Sequence, residues 1–205
     1  PSGRRDEGRI EDGMPKHYPV NYVVNLGPWL VYDPATGEGG DGAFYPGSQL
    51  RTNEFDDGLS KTMMAAEVRA WQPYFRNAAL PDDPGLPNSP AEVCAWGGAE
   101  FKNESGHTEW VDGRAHQTGF TTTFGPNQRI ACTQNGLEYD IDWTNQQEGR
   151  STTAVTYAVV TARSYHTGIV NVAMMDGAVQ SVQGEIELPV WRALSTRSGG
   201  DVRAE

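Results

Sequence analysis

The residues that most constrain this chain are Asp176-Gly177. They separate one apolar run, Ile169–Met175 (IVNVAMM), from a second, Ala178–Val182 (AVQSV). Asp-Gly between two strand-like runs is the strongest short-range hairpin signal, because a type I′ turn needs φ > 0 at both central residues. A two-residue turn here would set Met175 opposite Ala178, Met174 opposite Val179 and Val172 opposite Ser181. His166 stands at the front of the first strand, after Ser164-Tyr165 and before Thr167-Gly168. The other strands are expected to pair around this hairpin.

The rest of the chain reads as further short strands between turns. His17–Tyr32 (HYPVNYVVNLGPWLVY) is rich in aromatic and β-branched residues and is interrupted at Gly27-Pro28, which gives one or two strands. Lys61–Trp71 contains good helix formers. Its alternation at Met64, Ala66, Val68 and Ala70, after Asp57-Gly58 and before Gln72-Pro73, favours a strand. Ser89-Pro90-Ala91-Glu92 opens a short helix with a hydroxyl cap, a proline at the first helical position and a capping-box glutamate; Gly97-Gly98 ends it. Glu109–Asn127 is a second hairpin candidate, around Asp112-Gly113. Leu137–Trp143 (LEYDIDW) alternates acidic and apolar residues, so that as one strand it carries Glu138, Asp140 and Asp142 on one face. Arg150–Arg163 is a long strand with room to bend. Leu188–Thr196 is a helix stopped by Ser198-Gly199-Gly200. The expected class is α+β: a mostly antiparallel β-sheet domain with two or three short helices and long loops.

Composition bounds what such a domain does. At 205 residues the chain fits a single domain, read as residues 17–205 behind a polar opening, residues 1–16, expected to fray. Its 24 glycines and 13 prolines against 37% hydrophobic residues suit turns and loops better than a helical bundle. A net charge of −11 repels nucleic acid and anionic lipid and favours cations. No run approaches the roughly 18 apolar residues of a membrane helix. The chain opens on Pro1 rather than Met, which suggests a trimmed piece. Cys94 and Cys132 show neither a CxxC pair nor zinc spacing. Two inert thiols and one disulfide both fit, because pairing depends on Cα atoms lying within about 7 Å.

Several strings together resemble the DUF1559 family of prepilin-like proteins, abundant in Planctomycetes. HTGIVNVAMMDGAVQSV followed by IELPVWRALSTRSGGDV is similar to that family's C-terminal H-X9-DG signature. GDGAFYPGSQLRTNEFDDGLSKTMMAAEVRAWQPYF and WVDGRAHQTGFTTTFGPN resemble its other recurrent segments. The resemblance runs from about Asn21 to Val202. It implies a β-rich globular head laid out like a pseudopilin of type II secretion. In the family such a head follows a leader and one hydrophobic helix, processed by a prepilin peptidase. Neither is present in this sequence, so it looks like the head alone. Localisation in the cell envelope or outside the cell, anchored by that helix, is implied, as are pilin-like subunits or secretion-apparatus components as partners. No catalytic activity is established for the family.

Each chemistry-bearing group also has a structural reading. Ten strand residues span about 33 Å at ~3.3 Å each. His166 and Asp176 therefore stand at opposite ends of one strand. They read as two separate fixings, Asp176 and Gly177 serving the turn and His166 the start of the strand. Glu138, Asp140 and Asp142 are the best candidates for Ca²⁺, which takes six to eight oxygens, yet they lack the glycine and spacing of a calcium loop. A solvated strand face is the competing reading. Asp33, Glu38 and Asp41 are weaker candidates. His107 and His116 are too far apart for helical zinc spacing and read as loop or strand-surface residues, His17 carries no signal, and no nucleophile or phosphate-loop motif occurs. Six tryptophans could line a glycan face, though aromatics more often anchor cores. The expectation is a non-enzymatic structural subunit without cofactor. An extracellular glycan- or calcium-binding module is the alternative, and a secreted hydrolase the weaker one.

Overall fold

A computed structural model of the chain describes residues 7–78, 80 and 84–200. Ala79, Pro81–Asp83 and Asp201–Glu205 lie outside the described residues, as do Pro1–Asp6 of the segment expected to fray. The fold is α+β and mostly strand, 34% against 11% helix. Its strands are β1 (Arg9–Glu11), β2 (Met14–His17), β3 (Tyr22–Asn25), β4 (Leu30–Asp33), β5 (Glu38–Gly39), β6 (Met63–Glu67), β7 (Gln72–Arg76), β8 (Glu100–Gly106), β9 (Gly119–Phe120), β10 (Ala131–Gln134), β11 (Leu137–Asp140), β12 (Asp142–Thr144), β13 (Thr156–Val159), β14 (Ile169–Met174) and β15 (Val179–Gln183). The helices are α1 (Pro90–Trp96), α2 (Ala115–Thr118) and α3 (Leu188–Ala193).

Two sheets carry the fold. One is six-stranded in the order β5-β4-β13-β12-β7-β8, the other five-stranded in the order β15-β14-β6-β3-β9. Most pairings are antiparallel; β12–β7 and β3–β9 are parallel. Between these two sheets the chain crosses six times: from β3 to β4, β5 to β6, β6 to β7, β8 to β9, β9 to β12 and β13 to β14. Thr121 and Thr161 form a parallel bridge outside the named strands. The described residues form two cores. Val23, Met63, Ala66, Phe120, Val170, Val172, Met174 and Trp191 are buried together beside the five-stranded sheet. This first core also takes in Val31 of β4 and Ala158 of β13 from the six-stranded sheet. Trp29, Phe75, Val93, Ile130, Ile141 and Trp143 form the second core.

The hairpin β14–β15 is present, but its register is one residue away from the expected one. Ala173 faces Val179, Val172 faces Gln180 and Val170 faces Val182. Met174 donates its amide to Ala178 O at 2.8 Å, and Gly177 donates to Met174 O at 2.9 Å. Three residues, Met175-Asp176-Gly177, therefore make the loop. Gly177 alone is left-handed, at φ +89°, which is the three-residue type I turn with a bulge rather than the two-residue I′ turn. Asp176 Oδ1 accepts from Ala178 N at 2.9 Å and stabilises this choice. A one-residue slip exchanges the faces of a strand; the observed register puts Val170, Val172 and Met174 into the core and leaves Val179 exposed. The hairpin also stands at one side of its sheet, with β15 as the edge, so the strands do not pair around it.

Local signals were followed in some places and overruled in others. α1 starts under the Ser89 cap, with Pro90 at its first position, and ends at Gly97. The Glu92 carboxylate reaches the Asn88 amide at 2.7 Å, one residue before the cap. β6 is a strand, with an irregularity opposite Ala173–Met174 that turns both Met63 and Ala66 inward. Residues 9–16, expected to fray, form the hairpin β1–β2 together with His17, and Arg9 pairs with Glu109 across the chain. Asp112-Gly113 does not make a hairpin. Asp112 Oδ1 accepts from Arg114 N at 3.0 Å, and the chain runs into α2. Leu137–Trp143 is two strands in two sheets, broken at Ile141, whose amide bonds Ile130 O at 3.0 Å.

Candidate functional site

The break at Ile141 decides where the acidic residues go. Glu138 stays outside, paired with Arg129 at 2.6 Å with both side chains more than half exposed. Asp142 enters the six-stranded sheet and is 1% exposed. Asp140 lies between them, accepting from Ile130 N at 2.8 Å. The three carboxylates thus do not share one solvated face, and among the described residues no cluster of three or more His, Cys, Asp or Glu is placed to hold a metal ion. Asp33 is occupied in its own turn, Oδ1 accepting from Ala35 N at 2.8 Å.

What gathers Asp140 and Asp142 is Arg163, itself 2% exposed. Its Nη1 donates to Asp142 Oδ1 and to Thr161 O (3.2 Å). Its Nη2 donates to Asp140 Oδ1 and Ile141 O, both at 3.1 Å. A planar fork suits several acceptors at once, which lysine's single ammonium does not. Asp142 Oδ1 also accepts from Thr161 N at 3.2 Å. Its Oδ2 faces His107 Nε2 at 3.5 Å, an electrostatic approach longer than a good hydrogen bond. Burial pushes the Asp142 carboxyl up, but Arg163 and His107 outweigh it and hold it below the usual carboxylate range. Arg163 likewise resists the downward push of burial because Asp142 and Asp140 face it. This buried network ties β11, β12 and the end of the β13 segment. Breaking such a network by removing one partner costs about 3–5 kcal/mol.

His107 and His116, read from sequence as surface residues, are both buried. His107 Nδ1 donates to Gln117 O at 2.9 Å, and its amide donates to His116 O at 3.1 Å. The His116 ring stacks on Tyr74, with centroids 4.6 Å apart. Burial, aided by Arg76, holds His116 down at about 3, so it is neutral. Beside it, Glu148 accepts from Ala115 N at 3.0 Å through Oε1. Burial pushes Glu148 up to about 7.

The signature hairpin has its own fixings. His166 Nε2 lies 3.3 Å from Glu67 Oε1. Glu67, 8% exposed, also accepts from Tyr22 Oη at 3.2 Å and from Asn171 N at 2.8 Å. One carboxylate on β6 thereby joins β3, β14 and the turn before β14. Ser164 Oγ accepts from His166 N and donates to Ile169 O, tightening the same turn. The partner of His166 is Glu67, and the partner of Asp176 is its own turn. Neither Glu67 nor Arg163 stood out in the sequence. Glu67 follows four apolar residues, and Arg163 ends a strand as any solvated arginine would.

Cys94 and Cys132 form a disulfide, with Cα atoms 5.5 Å apart. It links α1 to β10 over the aromatic core. Of the tryptophans, Trp29 and Trp143 stack 5.9 Å apart, Trp96 packs on both, and Trp191 is wholly buried; Trp110 is 58% exposed. Most of the aromatic surface thus lies inside. No described helix is long and apolar enough to cross a membrane.

Comparison with known proteins adds one match. No curated protein and no solved structure matches this chain. A family described as "Protein of unknown function (DUF1559)", SBP_bac_10, matches residues 2–188, most of the sequence. The chain therefore belongs to the DUF1559 family.

Proposed function

We propose that this domain is a non-enzymatic structural subunit, the globular head of a pilin-like or pseudopilin-like protein of the cell envelope. The observation that carries the reading is how the chain uses its buried charges. Asp140, Asp142 and Arg163 join neighbouring strands, and Glu67 does the same on the other sheet. Groups able to serve chemistry are spent on rigidity, as a load-carrying head requires. Membership of the DUF1559 family supports it, through the prepilin-like character the sequence resemblance implies. The disulfide supports an oxidising compartment, since such bonds persist outside the reducing cytosol. The open edge of β15, beside a groove of about 770 Å³, offers neighbouring subunits a face.

Photo-crosslinking tests this in cells that make the full-length protein, with the reactive residue in place of the exposed Val179 on the β15 edge. Adducts with further copies or with other envelope subunits are expected. Recovery of the chain only as a monomer, under conditions that trap a control assembly, would refute the proposal.

A further inference from the structure

A small pocket of about 180 Å³ opens where β3 and β4 meet the segment before α2. Val24, Leu26, Val31 and Phe44 give it apolar walls, and Glu148 forms part of its lining. Glu148 is 9% exposed, and only one of its carboxylate oxygens is satisfied. Oε1 accepts from Ala115 N, whereas Oε2 is screened from water and has no hydrogen-bond partner. A buried acceptor left unmade is costly, so such groups are uncommon without a purpose. The neighbouring cation does not neutralise it. Arg114 pairs with Asp112 at 3.0 Å and spends its Nε on the Glu148 backbone carbonyl at 3.2 Å.

From this arrangement we propose that the pocket binds a primary alkylammonium group, its carbon chain against Val24, Leu26, Val31 and Phe44 and its nitrogen at Glu148. The volume lies below the roughly 300–1,000 Å³ of sites for drug-sized ligands and suits a chain of four or five carbons. Oε2 is closed to water in this rotamer, so the ligand engages it by turning the Glu148 side chain toward the pocket, where a cation supplies the donor that Oε2 lacks; the chain's net charge of −11 concentrates cations near its surface. Two sources present this chemistry: a free aliphatic amine, and a lysine side chain of a partner. Glu148 titrates at about 7, and the charged groups facing it are Asp112 and Arg114, already paired to each other. Binding therefore strengthens as pH rises through 7, while the amine stays protonated, with a pKa near 10.4.

Calorimetric titration of the whole domain with n-butylammonium, n-butanol, Nα-acetyl-lysine amide and Nα-acetyl-norleucine amide tests the proposal. The ammonium compounds are expected to bind at pH 8, at least tenfold more tightly than their neutral counterparts. In the wild-type chain their affinity should fall at least tenfold between pH 8 and pH 5.5. Glu148→Gln should abolish the preference for the cation. Tighter binding of the lysine amide than of butylammonium assigns the site to a partner's side chain, and the reverse assigns it to a free amine. Equal binding of butanol and butylammonium, or equal affinity at the two pH values, overturns the proposal. The wild-type pH comparison decides the matter even if the variant fails to fold. Neither outcome bears on the assembly role tested by crosslinking.

Discussion

Around the six-stranded sheet the packing is aromatic. Trp29, Trp96, Trp143 and Tyr157 lie with ring centroids 5.0–5.9 Å apart, and a disulfide closes over them. Around the five-stranded sheet it is aliphatic: valines, alanines and methionines with Trp191 and Phe120 at one side. The aliphatic core has no covalent tie. It relies on polar side chains that bond backbone, such as Asn25, whose Nδ2 donates to Met63 O and Ser195 O at 2.8 Å each, and Glu67. Few large rings bury much area each, but their shape must be held in place. Many small side chains interdigitate without help and leave the strand ends to be fixed separately. Arg163 stands where the two regions meet, its amide bonded to Glu67 O on β6 and its guanidinium to β11 and β12.

The sharpest way to break this comparison is at that junction. Arg163→Met leaves Asp142 buried without its cation. It should lower stability by about 3–5 kcal/mol in urea denaturation. Adding Asp142→Leu should return part of the loss, since well-packed apolar pairs replace buried ion pairs at little cost. If the single variant lost less than 1 kcal/mol, the two regions would not depend on the junction.

Removing the disulfide by Cys94→Ser with Cys132→Ser should cost about 3–4 kcal/mol for a loop of this length. Hydrogen exchange locates the effect. Amides of β7, β8 and β12 should lose protection more than those of β3, β6 and β14. Equal loss in both sheets would show that the cores unfold as one.

Two buried titratable groups oppose each other beside α2. Glu148 keeps its proton to about pH 7 in the folded chain and to about 4.5 when unfolded, so the stability it contributes is complete below 4.5 and is lost as pH rises toward 7. His116 is depressed from 6.5 to about 3, so its contribution is present above 6.5 and is lost as pH falls toward 3. Between pH 4.5 and 6.5 the slopes oppose, each at most roughly 1.4 kcal/mol per unit. Urea midpoints should therefore rise over that range in Glu148→Gln, fall in His116→Phe, and change least in the wild type. The smallest effect is expected at the exposed turn. Gly177→Ala should cost about 1 kcal/mol at φ +89°, seen as a small drop in Tm.

Strand-rich architecture, α1 with its cap and α3 were legible because their signals are local. The turns show the limit. Asn135-Gly136 joins β10 and β11 with both residues at positive φ, 51° and 78°, and Asp12-Gly13 does the same for β1–β2. These are the two-residue turns that the Asp176-Gly177 dipeptide promised, and both lay unread in the sequence. At 176–177 the ladder with β6 fixes Val170, Val172 and Met174 inward, and tertiary packing selects the longer loop. The buried network was illegible for a different reason. Asp140 and Asp142 alternate as a solvated strand does, and nothing local tells that Ile141 passes the chain from one sheet to another. Glu148 carries no signal at all, since its burial depends on Ala115 and the apolar wall of β3 and β4.

The strand order has a consequence for how the domain comes into being. In the six-stranded sheet, β13 stands between β4 and β12 and is their only link. During synthesis, β4 emerges more than a hundred residues before the strand that joins it to the rest. The other sheet likewise waits for β14 and β15. Both halves thus stay incomplete, with unpaired edges, until the last quarter of the chain is free, and such late long-range pairing is slow and exposed to aggregation. A chaperone or an early disulfide has most to offer in that interval, while β10 and α1 are already out and β13 is not.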